Sequence, residues 1–427
     1  MRGSQGRVPV VYSESRPLRL AYFVSHPIQY QAPLLRRIAQ EPDLELKAFF
    51  SSDVSARGYV DEGFGVHVEW DTPLLDGYKH EFLPTLRKVK EGASPGFLQP
   101  LNSGIARRLC EGKFDAVWVH GYNYLTNLQA MRVANSMGIP VLLRAESTLH
   151  DRPRSRMKLA SKHLFFDWLK PRVSAVLSIG KENTVYWQHH LGKDFPLFQF
   201  NYAVDNRFFQ TECAKASTTR EEFRASLGID PGSPIVLFAA KLSPRKRCGD
   251  LLEAYLHLAA TDRDGPLPYL LIVGDGEQRP MLETRAKQVP AGAVRFLGFR
   301  NQSELPRFYD LCDVFVLASV DEPWGLAVNE AMNAGKPIIV SDQVGCQPDL
   351  VRDGANGFVV RAGDVDGLAE SLRRVLASPV AARAMGAESL RIVDGYSFER
   401  NVAGLRQALS AVSPGFPLQP APLPDHA

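Results

Sequence analysis

The segment "DVFVLASVDEPWGLAVNEAMNAGKPIIVSD", residues 313–342, has the pattern of a strand, a loop, a helix and a second strand. Its two apolar runs, DVFVLAS and KPIIVSD, have the length and the branched residues of strands that are buried on both faces. The helix between them is expected to begin near Gly325. Strands of this kind, alternating with covering helices, predict a parallel sheet.

The same alternation recurs along most of the chain. The strand-like runs are 18–25, 44–50, 114–120, 139–145 and 173–180 in the first half, and 234–240, 269–276, 294–299, 313–319, 336–342 and 357–361 in the second. Two series of such runs predict an α/β protein with two doubly wound, Rossmann-like domains that face an interdomain cleft.

A chain of 427 residues is too long for one ordinary core, which also favours two domains. We expect one Rossmann-like domain over 18–197 and a second over 198–395. A final helix over 396–412 is expected to brace both domains. Residues 1–17 are predicted to form a flexible tail, and the proline-rich residues 413–427 a disordered one.

Composition narrows the class of protein. The net charge of +3 gives no argument for nucleic acid as a partner. Five scattered cysteines without a CxxC pair indicate neither a disulfide framework nor a zinc site, and they favour a reducing cytoplasm. No run approaches the roughly 20 apolar residues that span a bilayer. We therefore expect a cytoplasmic protein, with any membrane contact peripheral at the inner membrane face.

Two glutamates bracket the start of the helix in 313–342. Glu322 lies in the preceding loop, whereas Glu330 lies about 7.5 Å along the helix axis. The amides and the dipole at a helix start favour a phosphate, and Gly325 lets a ligand approach the backbone. A ligand with central phosphates and a hydroxylated sugar at each end suits this arrangement, and a nucleotide sugar has that composition.

The segment "AAKLSPRKR", residues 239–247, supplies positive charge directly after a predicted strand. Lys241 and Lys246 could neutralise a diphosphate and stabilise it as a leaving group without a metal ion. The alternative is that this basic loop is ordinary solvated surface.

Two short motifs predict local structure. "GDG" at 274–276 lacks the third glycine of a dinucleotide fingerprint, so a tight turn is favoured. "DVD" at 364–366 resembles a metal-binding triad, but its position before a helical run predicts that Asp364 is a helix cap and that no metal binds.

These motifs together resemble the glycosyl transferases group 1, the family-4 type of retaining glycosyltransferase with the GT-B fold. The stretches that carry the resemblance are the basic loop, "LLIVGDGEQRPMLE" at 270–283, residues 295–342, "GANGFVV" at 354–360 and "NYAVDNRFF" at 201–209. They cover almost all of the second half of the chain.

The resemblance implies roles for particular residues. Glu322 would contact the hydroxyls of the donor sugar and Glu330 the ribose, while the amides of Gly325, Leu326 and Ala327 would contact sugar and phosphate. In the same way, the resemblance implies that Lys241 and Lys246 hold the diphosphate and that Phe299 lies beside the base. No cofactor is expected besides the nucleotide-sugar co-substrate.

The first half carries candidate acceptor-side residues. "SHPIQYQAPL" at 25–34 places His26 and Gln29 after the first strand, where this family often has a pair of glycines, so the chain resembles a variant subgroup. His26 is interpreted either as a cleft residue or as the partner of a structural hydrogen bond. Arg144 and Glu146 follow another strand and are also candidate acceptor-side groups.

His120 ends the strand "FDAVWVH". The resemblance implies that this histidine lies beside the reacting carbon of the sugar, positioning the donor or stabilising positive charge there, in part through its carbonyl. The alternative is a histidine whose hydrogen bonds are satisfied at a strand end.

Residues 151–173 combine seven Lys or Arg with four large apolar side chains in the run 164–168. Such a helix could lie on an anionic membrane surface, which would imply a lipid-linked acceptor. The alternative is a helix that packs its apolar face on the domain.

The sequence thus predicts a retaining glycosyltransferase that moves a sugar from a nucleoside-diphosphate sugar to an acceptor hydroxyl. A UDP-sugar is favoured over a GDP-sugar, and the expected setting is bacterial glycan, glycolipid or glycosylated-metabolite synthesis. The alternatives are a nucleotide-sugar epimerase of the same fold and a non-catalytic regulator that binds a nucleotide sugar. No nucleic acid partner is expected.

Overall fold

The computed structural model describes residues 16–61, 63–87, 96–149, 156–261 and 267–417. The strands are β1 Leu18–Val24, β2 Leu44–Phe50, β3 Tyr59–Asp61, β4 Val66–Val68, β5 Lys79–Phe82, β6 Thr85–Arg87, β7 Leu101–Asn102, β8 Ala116–His120, β9 Val141–Arg144, β10 Ala175–Ser178, β11 Leu197–Gln199, β12 Ile235–Ala239, β13 Tyr269–Val273, β14 Val294–Gly298, β15 Val314–Leu317, β16 Ile338–Ser341 and β17 Gly357–Val360. The α-helices are α1 Ala32–Ile38, α2 Ile105–Gly112, α3 Leu125–Ser136, α4 Arg156–Leu169, α5 Lys181–Leu191, α6 Asn206–Ser217, α7 Arg220–Ser226, α8 Cys248–Thr261, α9 Arg279–Ala286, α10 Leu305–Leu311, α11 Leu326–Asn333, α12 Gln347–Leu350, α13 Val365–Leu376, α14 Pro379–Val393 and α15 Phe398–Val412. Most of the two predicted tails lies outside the described residues.

The described residues form two compact units. The first unit lies within Met1–Tyr59, Pro73–Asn201 and Phe398–Ala427, and the second within Val60–Thr72 and Tyr202–Ser397. Residues 60–72 therefore belong to the second unit, although the sequence analysis assigned them to the first domain. Their contacts are with residues more than 170 positions later in the chain, which no local pattern reveals.

The first unit is built on a parallel sheet with the strand order β11-β10-β9-β8-β1-β2-β5. The predicted strands of the first half are all present, trimmed by one or two residues at some ends. Strands β5 and β11 were not predicted. They occupy the two edges, are three or four residues long and are partly exposed, so they lack the continuous apolar run of a central strand.

The second unit is built on a parallel sheet with the order β14-β13-β12-β15-β16-β17. All six strands of this sheet were predicted. Its core lies between this sheet and the covering helices, and it includes Phe238, Leu252, Tyr255 and Leu372. Strand β13 ends at Val273, earlier than predicted, because Gly274 turns the chain with φ = +135°.

Each sheet contains one point at which the strand order reverses. In the first sheet it lies between β1 and β8, and in the second between β12 and β15. The chain leaves the two strands at such a point in opposite directions, so the loops after them flank an open crevice in which ligands of open α/β sheets bind. The loops after β12 and β15 contain Lys241 and Glu322, and those after β1 and β8 begin with Ser25 and Gly121.

Helix α4 contains the aromatic residues of the predicted membrane-contact segment, whose first residues, 151–155, are not among those described. Phe166 is buried and stacks on His190 with ring centroids 4.1 Å apart, and Phe165 and Trp168 pack against the core of the first unit. Leu164 is 71% exposed. No helix in the described ranges is both long and apolar enough to cross a membrane. Peripheral membrane contact stays a prediction.

Helix α15 packs on strands of the first unit at very short range. A methyl group added to Gly404 would lie 1.7 Å from the carbonyl oxygen of Gln199. The buried Arg406 donates to Asp43 at 2.6 and 2.8 Å and to Glu41 at 3.0 Å. The helix begins at Phe398, two residues after the predicted start.

Gly404→Ala is expected to destabilise the protein by about 2–4 kcal/mol, because the new methyl group must displace backbone. Gly249→Ala is the matched control, since Gly249 is also helical and its added methyl group would lie 3.9 Å from the Leu282 side chain. It is expected to be neutral or stabilising. Urea unfolding of both variants measures the difference, and equal stabilities would contradict the close packing of α15.

Candidate functional site

Lys246 and Glu322 form an ion pair at the switch point of the second sheet. Lys246 ends the short 3₁₀ turn Pro244–Lys246, and its Nζ donates to Glu322 Oε2. The two side chains are only 14% and 9% exposed. The amide of Val320 donates to the carbonyl of Arg245 at 2.8 Å, so the loops after β12 and β15 are joined directly. The structure thus brings together two residues that the sequence analysis selected separately.

The backbone around Glu322 is held by the loop after β16. The Glu322 amide donates to the Gln343 carbonyl at 3.2 Å, and the Gly345 amide donates to the Glu322 carbonyl at 2.8 Å. A methyl group at Gly345 would lie 2.2 Å from the Pro323 carbonyl oxygen. Only glycine therefore lets the two loops approach in this way.

Helix α11 begins at Leu326, as predicted, after Gly325 with φ = +98°. The first amides of a helix, here those of Leu326 and Ala327, have no acceptor within the helix and suit an anion. Gly325 also has a packing role, because a side chain there would lie 2.9 Å from Leu317. Trp324, next to it, is buried.

Glu330 lies on the same helix and accepts a hydrogen bond from the Tyr309 hydroxyl at 2.6 Å. Burial raises the pKa of Glu330 to about 7, although the Tyr309 hydrogen bond acts in the opposite direction. Nothing in the sequence pattern indicated Tyr309, because a tyrosine in an apolar helix such as α10 has the appearance of a core residue.

Lys241 has a different partner from Lys246. Its Nζ donates to Asp61 Oδ1 at 2.6 Å and lies 4.6 Å from the centre of the Phe64 ring. Phe64 also contacts Phe299, with ring centroids 4.9 Å apart. Asp61 and Phe64 were not predicted, because they come from the segment that the sequence analysis placed in the other domain.

The two short motifs have the local roles expected of them. Methyl groups at Gly274 and Gly276 would lie 2.0 Å from the Ala240 carbonyl oxygen and 2.6 Å from that of Leu242, so the GDG turn packs tightly on the basic loop. Asp364 caps α13 by accepting from the Gly367 amide at 2.9 Å. Among the described residues, no group of three or more His, Cys, Asp or Glu is placed to hold a metal ion.

In the first unit, His120 joins a buried hydrogen-bond network at the switch point. Its Nδ1 lies 2.8 Å from the Tyr22 hydroxyl, and its Nε2 lies 3.3 Å from Glu146 Oε1. Burial lowers the pKa of His120 despite the opposing effect of Glu146, so the ring is neutral at pH 7. Because the Glu146 carboxylate only accepts, Nε2 carries the proton and Nδ1 accepts from Tyr22. Both ring nitrogens thus have hydrogen-bond partners, and a position of His120 beside the reacting carbon stays a prediction.

Two further residues complete this network. Tyr30 donates to Glu146 Oε1 at 2.8 Å, and the buried Asn127 donates to the carbonyl of His120 at 2.7 Å. Burial raises the pKa of Glu146, but the hydrogen bonds from His120 and Tyr30 and the charge of Arg144 together hold it below its ordinary value. Tyr22, Tyr30 and Asn127 carried no signal in the sequence.

The other candidate acceptor-side residues differ in access. His26 bonds to the Ser25 hydroxyl at 2.9 Å through Nδ1, and burial, reinforced by His120, lowers its pKa to about 4. Gln29 is partly exposed in the loop before α1. Arg144 is 1% exposed and lies over the Phe200 ring, whereas the side chain of Glu146 is 37% exposed. Glu146 is therefore more accessible to a ligand than Arg144.

Solved structures of other proteins share the fold of this chain. HepE from Anabaena, crystallised with UDP and glucose, superposes with a TM-score of 0.66 at 18% identity over 92% of this chain and all of that one. Sucrose-phosphate synthase from Thermosynechococcus elongatus gives a TM-score of 0.65 at 18% identity over 91% of this chain and 98% of that one. The chain has the GT-B fold, with two Rossmann-like halves.

Sequence comparison finds similarity over part of the chain. Residues 219–390 match the model described as glycosyl transferases group 1. D-inositol 3-phosphate glycosyltransferase from Nocardia farcinica is 32% identical over 197 residues, which are 45% of this chain and 44% of the relative. Lipopolysaccharide core biosynthesis glycosyltransferase LpsE from Rhizobium meliloti is 34% identical over 155 residues, 36% of this chain and 43% of the relative. The matches thus span less than half the length of these curated relatives.

Glu330→Gln is expected to stabilise the protein by about 1–2 kcal/mol at pH 8, with a gain that shrinks towards zero near pH 5. The pKa of Glu330 is raised from 4.5 to about 7 in the folded protein. The folded state therefore holds its proton more tightly than the unfolded state, and the free energy of unfolding falls as the pH rises from 4.5 through 7. Glutamine cannot ionise, so the variant lacks this loss. Urea unfolding from pH 5 to about 8 measures this dependence. Glu277→Gln, at an exposed position, is the control and should have little effect. A gain independent of pH would contradict the assignment.

Proposed function

We propose that this chain is a glycosyltransferase that moves a sugar from a nucleoside-diphosphate sugar to an acceptor hydroxyl with retention of anomeric configuration. The observation that carries the proposal is the shielded Lys246–Glu322 ion pair at the switch point, next to the start of α11. Lys246 then offers a cation for a phosphate, and Glu322 offers a carboxylate for sugar hydroxyls. The first amides of α11 lie beside the same crevice. The UDP and glucose bound to HepE support a donor of this chemical class.

In the proposed donor complex, Lys246 and Lys241 bind the diphosphate, and the first amides of α11 donate to its oxygens. Glu322 accepts hydrogen bonds from sugar hydroxyls, and Glu330 accepts them from the ribose. Phe299 packs against the base. A UDP-sugar is the proposed donor, ahead of a GDP-sugar, and no metal is required because two lysines supply the charge.

The proposed reaction breaks the bond between the anomeric carbon and the diphosphate oxygen, while the acceptor oxygen bonds to that carbon on the same face. The acceptor proton goes to an oxygen of the departing diphosphate. Lys246 and Lys241 stabilise the negative charge that develops on the leaving group, which is the electrostatic contribution to rate. No covalent sugar–enzyme intermediate is required.

The first unit is proposed to bind the acceptor. Glu146 offers a carboxylate that is 37% exposed and already held by Tyr30 and His120, so its orientation is set before a ligand arrives. A hydroxyl donor is the natural partner of such a group. The proposed acceptor is a bacterial glycan, glycolipid or metabolite precursor in the cytoplasm, and a lipid-linked acceptor would bring the protein to the membrane surface.

Lys246→Ala is expected to raise the Kd for both UDP and UDP-glucose by about tenfold or more, because a charge-assisted hydrogen bond to phosphate is lost. Glu322→Ala is expected to weaken UDP-glucose much more than UDP, since its proposed contact is with the sugar. Calorimetry without metal, with GDP- and ADP-glucose in parallel, measures these constants.

Lys215→Ala is the control for these titrations, since Lys215 is an exposed lysine on α6 whose Nζ lies 2.8 Å from Glu212 Oε1. It should leave every Kd unchanged. Absence of binding by any nucleotide, or binding that survives both Lys246→Ala and Glu322→Ala, would overturn the proposed donor site.

A second prediction concerns stereochemistry. In a long incubation with UDP-α-glucose, water can act as the acceptor, and a retaining enzyme should release α-glucose first. Proton NMR of the anomeric signal, read before mutarotation, distinguishes the two anomers. Release of β-glucose would contradict retention, and an altered nucleotide sugar without transfer would indicate an epimerase.

A further inference from the structure

The segment 60–72 covers part of the proposed donor site, although it precedes the rest of the second unit by more than 120 residues. It is attached to the loop after β14 by hydrogen bonds that involve side chains. These run from Asn301 to the Glu69 carbonyl at 2.6 Å, from Thr72 to Gln302 at 3.4 Å and from Ser303 to the Asp71 carboxylate. The segment thus has a defined position on the second unit.

Asp61 is the charged residue through which this segment reaches the donor site. Its Oδ1 accepts from the amides of Gly63 and Phe64 at 2.9 and 3.0 Å, which close a tight turn, and from Lys241 Nζ at 2.6 Å. The side chain of Asp61 is 12% exposed. Burial raises the pKa of Asp61, but Lys241 and the two amides together hold it below its ordinary value, so the carboxylate is charged at pH 7.

Phe64 extends the same cover towards the proposed base position. Its ring lies 4.6 Å from Lys241 Nζ and 4.9 Å from the Phe299 ring, and Trp70 lies 6.2 Å from Phe299. A methyl group at Gly276 would lie 2.9 Å from the Gly63 carbonyl oxygen, so the turn also packs on the GDG loop. The segment therefore contacts both groups that the proposed function assigns to diphosphate and base.

The balance of charges around the proposed donor site indicates the role of Asp61. Two lysines face two carboxylates, and Glu322 has a proposed use because sugar hydroxyls donate to it. Asp61 has no such use beside Lys241, since the diphosphate group proposed to bind this lysine presents only acceptor oxygens. A carboxylate oxygen 2.6 Å from an ammonium group takes the position and the charge that a phosphate oxygen would otherwise take.

We propose that Asp61 is a built-in competitor of the donor diphosphate for Lys241, so that it sets the affinity for nucleoside diphosphates and favours their release after transfer. This inference rests on the proposed function. The opposite role, in which Asp61 orients Lys241 for better binding, predicts the opposite effect of removing its charge. Asp61→Asn separates the two roles, because asparagine can still accept from the turn amides but carries no charge.

The test is calorimetric titration of UDP into the full chain, with GDP and ADP in parallel and no metal. Asp61→Asn is expected to lower the Kd for UDP about two- to fivefold, the range given by releasing a partly exposed ion pair. Lys241→Met should weaken binding, and Asp61→Asn combined with Lys241→Met should bind no more tightly than Lys241→Met alone. Asp61→Ser is the second neutral variant, should Asp61→Asn lower the melting temperature.

Glu69→Gln is the matched control, because Glu69 is an exposed residue on the same segment and bonds to Asn301 through its backbone carbonyl, which the substitution keeps. It should leave the Kd unchanged. Suppose that wild-type binding of UDP depends on Lys246, but that Asp61→Asn and Asp61→Ser bind UDP as weakly as the wild type or more weakly. The competitor role is then wrong, and the proposed function stands. If none of the nucleotides binds to any of these proteins, both are wrong.

Discussion

The donor half of this protein depends on the divergence of the chain at β12 and β15. Both strands are buried and parallel, and their following segments cross to different parts of the sheet, so the carboxyl ends of the two strands stay uncovered by a helix. The loops that begin there meet through the Val320–Arg245 hydrogen bond and the Lys246–Glu322 ion pair. The residues after 202 that are proposed to bind the donor lie on these loops or on the elements next to them.

Such a site has a cost in stability. Shielding Lys246 and Glu322 from water removes hydration that their mutual attraction only partly restores. Burial of Glu330 likewise opposes its ionisation near neutral pH. Hydrophobic residues of similar size would pack these positions without such penalties, so the charges are better explained by ligand binding than by folding.

The first unit uses the same strand arrangement with different chemistry. At the β1–β8 switch point it places a neutral His120 between a tyrosine hydroxyl and the Glu146 carboxylate, with Asn127 bonded to the histidine carbonyl. The Glu146 carboxylate of this network is partly exposed, and it accepts hydrogen bonds but repels a phosphate. It therefore suits a neutral, hydroxyl-bearing ligand better than a phosphate.

The sequence by itself determined what depends on neighbours along the chain. Apolar runs located the central strands, and the Gly325 and Asp364 signals located helix starts, because periodicity and capping act over a few residues. Only the tertiary structure decided which distant side chains meet, as when Asp61 reaches Lys241 from 180 positions away or Tyr309 bonds to Glu330. Those pairings follow from strand order and loop packing, which no local pattern of residues encodes.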